Sequence, residues 1–443
     1  MKKIAALASL LVLSSSVLAA VSAASGPSFA HARSYAAGSR TSPTAVAIGD
    51  LNGDGKPDLM TANWEANTVS VFLNTGAGGF NARREYPTGR LPAAVAIGDL
   101  NGDGEPDLAT PNSGPNTLSV LLNRGDGSFQ PKIDYAAGLK PSSIAIDDLN
   151  GDVKPDLAIT NEDSTVSVLL NGGDGSFPTK RGYRTRGTPW SVAIGDLNGD
   201  GRPDLATANA GTNTVSVLLN RGDASLRAKV DYATGRGSTS VAIGDLNDDG
   251  HADLATANGD DNTVSVLRNR GDGSFRAKRD YPNGRGPQSV AIGDLNADRK
   301  ADVATANAKT VSVLVNRGDG TFLAKLDYAI GAIVGVRGTA TIAIGDLNGD
   351  RKPDVASANS DADTVSVLFN RPGLCDMQDV RRQTLSVAKR ILARANCRVG
   401  KIRSAYSTVV KSGRVIYQSP KFGAVLPGGG KVNLVVSRGR RHS

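Results

Sequence analysis

The sequence contains few of the residues that most often carry catalysis or bind transition metals. Its 443 residues include two cysteines, two tryptophans and three histidines. The histidines His31, His251 and His442 are scattered, and no nucleophile lies beside a base in a pattern that suggests catalysis. Beyond residue 24, no apolar run approaches the ~18 residues that a membrane-spanning helix needs. We therefore predict no catalytic residues and no membrane span.

The two cysteines, Cys375 and Cys397, are 22 residues apart near the C-terminus. In an exported chain, the default expectation for such a pair is a local disulfide. Two buried free thiols are the alternative. A metal site is not indicated, because the only histidine in this region is His442 in the tail.

The N-terminus has the pattern of a secretory signal peptide. Met1 is followed by two lysines, an apolar run from Ile4 to Ala20, and small residues up to Ala24. We predict a signal peptide over residues 1–24 and a secreted, extracellular protein. A lipid anchor is not expected, because no cysteine follows the cleavage region.

Charge is distributed unevenly along the chain. Residues 374–443 contain 15 Lys and Arg against 2 Asp, whereas the rest contains 36 basic and 41 acidic residues. Such asymmetry indicates two domains with different partners. A basic domain could meet nucleic acid, but in an exported protein we expect an anionic polymer of the cell envelope instead.

An acidic phrase of nine residues recurs seven times. It begins at Asp50 (DLNGDGKPD) and again at Asp99, Asp148, Asp196, Asp245, Asp294 and Asp346, with starts 48 to 52 residues apart. Around it, short runs rich in β-branched residues, such as SVAIGDL, DVATAN, TVSVLVN and TFLAKLDY within 289–328, are separated by turn residues. Four short strands per unit at this period predict one blade of a β-propeller, and seven units predict seven blades.

The ends of the repeat region predict how the propeller closes. The seventh unit stops at TVSVLFN (364–370) without a fourth strand, whereas SFAHARSY (28–35) matches the fourth-strand segment SFRAKRDY (274–281). We predict an all-β seven-bladed β-propeller over residues 28–371, closed by the N-terminal strand, with no open sheet edge. The Tyr and Phe of the fourth-strand segments are expected to pack between blades.

Each acidic phrase has side-chain oxygens at positions 1, 3, 5 and 9. The predicted ligands are Asp50, Asn52, Asp54, Asp58, Asp99, Asn101, Asp103, Asp107, Asp148, Asn150, Asp152, Asp156, Asp196, Asn198, Asp200, Asp204, Asp245, Asn247, Asp249, Asp253, Asp294, Asn296, Asp298, Asp302, Asp346, Asn348, Asp350 and Asp354. Three carboxylates and one amide carbonyl suit Ca²⁺, which binds about 6–8 oxygens, and the absence of His and Cys disfavours zinc. The alternative is that Asp, Asn and Gly only form turns. Seven complete copies favour up to seven Ca²⁺ ions, one per blade.

Position 6 of the phrase distinguishes the seven loops. It is Gly in four units but Val153, Arg299 and Arg351 in units three, six and seven. If this position needs a left-handed backbone, a non-Gly residue costs about 1–2 kcal/mol. We predict weaker calcium binding in these three units, and the weakest at Val153, which is β-branched.

These repeats resemble the FG-GAP/VCBS family, whose seven-bladed propellers include the integrin α-subunit head and several secreted bacterial proteins. In that family the equivalent Asp and Asn positions bind calcium in the loop between the first two strands. The resemblance covers residues 28–371 and implies the fold and calcium. It implies no single activity, because the family ranges from adhesion proteins to lectins and lyases.

Residues 374–440 break the repeat and predict a small α+β domain. Leu385, Ala388, Ile391 and Leu392 have helical spacing, and three strand-like runs follow. The order of Cys397, VG (399–400), GRVIYQSP (413–420) and KVNLVVS (431–437) resembles a PASTA domain. Some members of that family bind cell-wall muropeptides and others are spacers. The resemblance therefore implies peptidoglycan as a candidate partner and possible cell-wall association.

Two surfaces of the predicted propeller are candidate binding sites. An RGD tripeptide begins at Arg124, Arg221, Arg270 and Arg317, although a plain hairpin turn explains this motif better than adhesion does. On the opposite face, each link between blades carries a cation after its Tyr. These are Arg40, Arg90, Lys140, Arg186, Arg236, Arg285 and Arg337.

Trp64 and Trp190 fall in predicted loops on the same side as these cations. Indole rings and basic groups together suit anionic sugars or peptide carboxylates. The alternative is that duplicated loops simply carry solvated cations.

The sequence therefore predicts a secreted, monomeric calcium-binding β-propeller that acts in recognition or adhesion at the bacterial cell envelope. The expected partners are anionic polysaccharide, peptidoglycan or an extracellular protein, and not nucleic acid. The alternative is a calcium-dependent polysaccharide lyase or hydrolase, which differs in shortening the polymer that it binds. A structural spacer without a ligand is a third hypothesis.

Overall fold

The computed structural model of the protein describes residues 26–330, 341–370, 374–376, 379–394, 397–422, 424–427 and 430–440. At 374–376, 394, 425 and 427 it describes the backbone only. The predicted signal peptide (1–24) and Arg337 lie outside the described residues, as does the side chain of Cys375.

The chain is built almost entirely of short strands. In the repeat region these are β1 (Arg33–Ala36), β2 (Pro43–Gly49), β3 (Asp58–Asn63), β4 (Thr68–Phe72), β5 (Asn74–Gly76), β6 (Gly79–Phe80), β7 (Arg84–Pro87), β8 (Ala96–Gly98), β9 (Asp107–Asn112), β10 (Thr117–Leu121), β11 (Ile133–Ala136), β12 (Ser143–Asp147), β13 (Asp156–Asn161), β14 (Thr165–Leu170), β15 (Thr179–Arg184), β16 (Pro189–Gly195), β17 (Asp204–Asn209), β18 (Thr214–Leu218), β19 (Val230–Ala233), β20 (Ser238–Gly244), β21 (Asp253–Asn258), β22 (Thr263–Leu267), β23 (Arg279–Pro282), β24 (Ser289–Gly293), β25 (Asp302–Ala306), β26 (Thr310–Leu314), β27 (Leu326–Ala329), β28 (Ile342–Gly345), β29 (Asp354–Asn359) and β30 (Thr364–Leu368). One 3₁₀ turn, Ser360–Ala362, follows β29.

Within the described part of the chain, these strands form seven four-stranded antiparallel sheets, one for each repeat. In six of them the four strands follow one another along the chain, and the short hairpin β5–β6 lies within the first. The seventh has the order β1-β30-β29-β28. The N-terminal strand therefore pairs with the last repeat, with Tyr35 opposite Val365, as the match between the chain ends predicts.

The hydrophobic core lies between neighbouring sheets. Leu197 and Val217 of the fourth sheet, for example, pack with Val241 and Leu254 of the fifth. The same kind of cluster joins the first sheet to the seventh, where Phe72 packs with Phe369. Sheets inside the array thus have neighbours on both faces, which explains why the second strand of the fourth sheet, β17, is buried at every position.

The first strands of adjacent repeats are also joined by hydroxyl groups. The backbone N–H of Val241 donates to Ser191 Oγ of the preceding repeat at 3.3 Å. The N–H of Val46 in the first repeat donates to Thr341 Oγ1 in the last at 2.6 Å. The two ends of the repeat array therefore meet through the same contact that joins its interior members.

Aromatic pairs connect the outer parts of the sheets. Tyr86 of the first sheet meets Phe129 of the second edge to face, with ring centroids 5.1 Å apart, and donates a hydrogen bond to Gly127 O. Tyr183 keeps the hydrogen bond, to Ala224 O, although its neighbour carries Leu226 in place of Phe. The predicted packing of these rings between sheets is what the structure has. Phe129, Phe275 and Phe322 precede the fourth strands and make isolated bridges to the asparagines that follow the third strands.

The C-terminal region forms a separate small α+β unit. It contains β31 (Leu374–Asp376), α1 (Leu385–Arg394), β32 (Arg398–Ala405), β33 (Val415–Ser419), β34 (Val425–Pro427) and β35 (Lys431–Ser437). β35 lies between β32 and β33, and the helix residues Ala388 and Leu392 pack on this sheet against Val415 and Val432. None of the helices in the described residues is long and apolar enough to cross a membrane.

Candidate calcium loops and binding surface

The acidic phrases form the loops between the first and second strands, and position 9 begins the second strand. In the second repeat this residue is Asp107, which is fully buried. Its Oδ2 accepts the backbone N–H of Leu100 at 2.9 Å, and its Oδ1 accepts that of Asn123 at 2.7 Å. The carboxylate therefore ties the start of its loop to the end of the third strand.

This pair of hydrogen bonds recurs in all seven repeats. The other position-9 carboxylates, each with its two donors, are Asp58 with Leu51 and Asn74, Asp156 with Leu149 and Asn171, Asp204 with Leu197 and Asn220, Asp253 with Leu246 and Asn269, Asp302 with Leu295 and Asn316, and Asp354 with Leu347 and Asn370. Position 9 thus has a structural role in every loop, whatever else it binds.

Positions 1, 3 and 5 are closer to the solvent. In the second repeat, Asp99 accepts the backbone N–H groups of Gly102 and Gly104 at 2.7 and 2.8 Å. Asn101 Oδ1 accepts the N–H of Asp103 at 3.0 Å. The loop backbone is therefore wrapped around the oxygens of positions 1 and 3, and the Asp103 side chain is exposed.

The electrostatics of the loop suit a cation. Burial, and to a smaller extent the carboxylates of Asp103 and Asp99, raise the pKa of Asp107 to about 6. The same causes raise the pKa of Asp302 and Asp354 to about 7. Three carboxylates that disfavour one another's charge, together with an amide carbonyl, form a donor set that fits a hard divalent cation.

The loops are not arranged as a compact metal cluster. Among the residues that the structure describes, no three His, Cys, Asp or Glu side chains come together in a group that could hold an ion. The oxygens of positions 1 and 9 are instead turned to backbone N–H groups, as in the second repeat. The donors fit calcium in kind and number, and calcium itself remains a prediction.

Two positions in each loop have a left-handed backbone. Position 6 has φ of 65° at Val153, 66° at Arg299 and 64° at Arg351. This position therefore has the left-handed backbone on which the predicted order of calcium affinities depends. Position 4 is left-handed as well, and there the non-Gly residues are Asp248 (61°) and Ala297 (62°). The left-handed backbone at position 4 was not predicted from the sequence, although Gly at this position in five of the seven phrases was the available signal. The sixth loop alone has a non-Gly residue at both positions.

The asparagine that ends the third strand was also missed. Asn123 Nδ2 donates to Leu51 O of the preceding loop at 2.8 Å and to Pro106 O of its own loop at 2.9 Å. Its Oδ1 accepts the N–H of Gly125 in the RGD turn. One side chain therefore joins two acidic loops and one turn, and its recurrence once in every repeat was the signal that could have revealed it.

The RGD tripeptides belong to this same scaffold. The N–H of Ser128 donates to Asp126 Oδ1 at 2.8 Å, and the Arg124 guanidinium donates to Phe129 O. Gly125 and Gly127 both have left-handed φ. The side chains of Arg124 and Asp126 therefore form hydrogen bonds within the hairpin turn, in agreement with the turn interpretation.

The opposite face is built from the links between sheets and the loops between the second and third strands. In the first repeat, the N–H of Trp64 donates to Ser42 O in the preceding link at 3.2 Å. Asn67 Oδ1, in the same loop, accepts the N–H of Leu91 in the following link at 2.9 Å. The Trp64 loop is therefore held between the links that carry Arg40 and Arg90.

The cations predicted to line this face are not equivalent. Three of them have acidic partners: Lys140 pairs with Glu162 at 2.7 Å, Arg236 with Asp261 at 2.8 Å and Arg186 with Asp231 at 3.6 Å. Arg40, Arg90 and Arg285 are exposed and form no ion pair with any described residue. The free positive charge is therefore concentrated on part of the predicted set.

The two tryptophans also differ in position. Trp64 lies in a loop, as predicted, and is half-buried. Trp190 instead lies inside β16, at an irregularity between Pro189 and Ser191, and is 43% exposed. The prediction that it lies in a loop was wrong, because β16 begins at Pro189 and so includes Trp190. Of the two, only Trp64 lies on a loop whose flanking links carry cations without an ion pair to a described residue.

Models of known families match both parts of the chain. The FG-GAP-like repeat model matches residues 50–110, 148–207, 196–256, 245–305 and 294–357. The chain belongs to the FG-GAP-like repeat family. A PASTA domain model matches residues 376–438, so the small C-terminal unit is a PASTA domain. The resemblance seen in the motifs is confirmed for both parts.

Solved structures are similar to this FG-GAP protein in fold alone. A crystal structure of BBS1N in complex with ARL6DN has a TM-score of 0.55 at 12% identity, covering 78% of this chain and 98% of that one. An inactive variant of virginiamycin B lyase from Staphylococcus aureus with quinupristin has a TM-score of 0.53 at 13% identity, covering 77% and 99%. A protein of unknown function from Desulfotomaculum acetoxidans has a TM-score of 0.52 at 11% identity, covering 67% and 87%.

Proposed function

We propose that the protein is a secreted, calcium-binding, seven-bladed β-propeller that recognises an anionic glycan at the bacterial cell envelope. The repeat propeller with its PASTA domain fits a recognition or binding protein of the envelope. Closure of the propeller is supported by the contacts between its ends, where Phe72 packs with Phe369 and Val46 bonds to Thr341.

Calcium in the acidic loops is supported by the donor chemistry. Positions 1, 3 and 5 of each phrase would supply most of the ligands, and position 9 would add a carboxylate already fixed by two backbone N–H groups. Bound calcium would supply charge that offsets the mutual repulsion of the loop carboxylates. We expect it to stabilise the fold rather than to take part in a reaction.

The observation that carries the recognition proposal is the position of the Trp64 loop. It is bonded to both flanking links, which carry Arg40 and Arg90. Neither side chain forms an ion pair with a described residue, although the backbone N–H of Arg40 donates to Asp363 Oδ2 at 2.8 Å. An indole on a loop whose two flanking links carry guanidinium groups suits a sugar ring that bears carboxylate or phosphate. Three other cations of the set form ion pairs and are the less suitable contacts, although Arg186 shares Asp231 with Lys229.

The test is binding of the mature full-length protein, with calcium, to an array of acidic and neutral glycans. The variant is Arg40→Gln/Arg90→Gln, and the matched control is Lys140→Gln/Arg236→Gln, which removes the same charge from paired positions. We expect the first variant to bind acidic glycans more weakly than the control does, with both retaining the wild-type melting temperature. Equal loss in both, or no binding to any acidic glycan, would refute this site.

A further inference from the structure

The sheet of the PASTA domain has a groove on the face opposite its helix. The groove has a volume of about 750 Å³ and crosses all three strands. Because side chains alternate along a strand, Val432 and Leu434 of β35 face α1, whereas Lys431, Asn433 and Val435 face the groove. Val399 and Leu434 of the lining also pack in the core of the domain, whereas its other residues lie outside the core and are available to a ligand.

One row of the groove combines charge, an aliphatic surface and an aromatic ring. Arg403 of β32 lies beside Val435 of β35, and Val435 lies beside Tyr417 of β33. Neighbouring strands are about 4.8 Å apart. Val435 therefore separates Arg403 from Tyr417 by a distance that one sugar ring can span. The Tyr417 side chain is 47% exposed, and its face is accessible to a ligand.

The next row is polar. Lys401 lies two residues before Arg403, and its backbone N–H donates to Asn433 Oδ1 at 2.7 Å. Asn433 is paired with Ser419 on the other side. A Cβ at Gly400 would lie 2.4 Å from Asn433 Oδ1, so glycine is needed for this close approach. The lining is therefore constructed by specific contacts, and Lys431 adds a third cation at one end.

The charge of the groove is of one sign. None of the described residues that line it is acidic. Lys401, Arg403 and Lys431 are exposed and form no ion pair with any described residue, whereas Asp379 of the same domain is paired with Arg381. Lys401 and Arg403 are two residues apart on one strand, which separates their Cα atoms by about 7 Å. Such a line of cations suits a polymer with repeating negative charges.

We propose that this groove binds a segment of an acidic polysaccharide. Its carboxylates bind Lys401, Arg403 and Lys431, and one sugar ring packs on Tyr417 and Val435. A neutral glycan would leave the three cations without partners, and a polymer of phosphate alone would not use the aromatic ring. The groove lies in the C-terminal domain, so this site is independent of the propeller surface proposed above.

The test uses the full chain and oligogalacturonate as the probe, measured by calorimetry. The groove variant is Lys401→Gln/Arg403→Gln/Lys431→Gln. The matched control is Lys389→Gln/Arg390→Gln/Lys411→Gln, which removes the same charge from exposed positions of the same domain outside the groove. With all variants made in the Arg40→Gln/Arg90→Gln background, which removes the propeller surface, we expect the groove variant to bind about tenfold or more weakly and the control to stay within about twofold of that background. Higher salt should weaken wild-type binding, because exposed ion pairs are screened.

Further arms separate the contributions of charge, ring and propeller. Tyr417→Ala should weaken oligogalacturonate binding, Tyr417→Phe should preserve it, and inorganic polyphosphate should be insensitive to both. The Arg40→Gln/Arg90→Gln variant should leave the affinity of the groove for oligogalacturonate unchanged, so the two sites can be distinguished. Equal binding by the groove variant and its control, or tighter binding of polyphosphate than of the sugar polymer, would overturn the proposal. Melting temperatures establish that each variant is folded.

Discussion

The side-chain amide of Asn74 donates a hydrogen bond to the carbonyl oxygen of Leu347, 2.9 Å away, and so joins the first repeat to the last. The equivalent bond between consecutive repeats joins Asn220 to Leu149 at 2.8 Å. The same residue type, at the same place in its unit, therefore makes the terminal junction and the interior ones. If the propeller is closed, the two junctions should be equally important for stability.

Replacing either asparagine by alanine should destabilise the protein by a similar amount. Each variant leaves the buried carbonyls of two loops without their donor, so we expect Asn74→Ala and Asn220→Ala each to lower the free energy of unfolding by about 2–3 kcal/mol. Urea unfolding in calcium measures both. A much smaller cost at Asn74 than at Asn220 would show that the ends of the array are not joined in solution.

Much of the fold could be predicted because the repeat makes each local pattern visible seven times. The four strands per unit, the pairing of β1 with the last repeat and the helix of the PASTA domain all follow from patterns of local sequence. The hydrogen bonds from Asn123 to two different loops could not be predicted, since they depend on how neighbouring sheets face each other.

The binding surface was predicted less completely than the fold. Seven cations at equivalent positions looked alike in the sequence, yet their partners come from other loops. Glu162 and Asp261 neutralise Lys140 and Arg236 because loops of particular repeats carry acids at the right place. Equivalent positions in a repeat protein therefore share backbone geometry but not electrostatic environment, which only the assembled surface reveals.

The four oxygen positions of an acidic loop should separate into two functional classes. Asp107 accepts two backbone N–H groups in the core, so Asp107→Asn should lower the free energy of unfolding by about 2 kcal/mol or more, with calcium or with chelator. Asp103 has an exposed side chain, so Asp103→Asn should weaken calcium binding and leave the stability of the calcium-free protein nearly unchanged. Thermal unfolding with and without chelator, together with calcium titration, measures both.

The corresponding pair in another loop, Asp204→Asn and Asp200→Asn, repeats the comparison with the same backbone bonds. If position 9 acted only as a calcium ligand, its variant would match wild type in chelator. That result would remove the structural role assigned to the buried carboxylate.

A disulfide between Cys375 and Cys397 is expected to stabilise the PASTA domain. Cys397 is 5% exposed and packs with Ala388 and Val415 in the core of the domain. A loop of this length gives a stabilisation of about 3 kcal/mol when it is closed by a disulfide. Peptide mapping of the exported protein without reductant should show the linked pair, and reduction should lower the unfolding transition of this domain. Alkylation of both cysteines in the folded protein would disprove the bond.

The sixth acidic loop should bind calcium most weakly. It places Ala297 and Arg299 in left-handed conformations, with φ of 62° and 66°, whereas the third loop has one such non-Gly residue, Val153. Each left-handed non-Gly residue costs about 1–2 kcal/mol, so two should outweigh the extra penalty of one β-branched side chain. This changes the order predicted from position 6 alone. Stepwise calcium titration of the wild-type protein should therefore show unequal sites.

The variant Ala297→Gly/Arg299→Gly should raise both the affinity of this loop and the melting temperature of the calcium-loaded protein, because glycine adopts both conformations without strain. The opposite change, Gly201→Ala in the fourth loop, is the matched control and should lower both. A titration with seven equal sites, or a double variant with unchanged affinity, would show that backbone strain does not set calcium affinity in these loops.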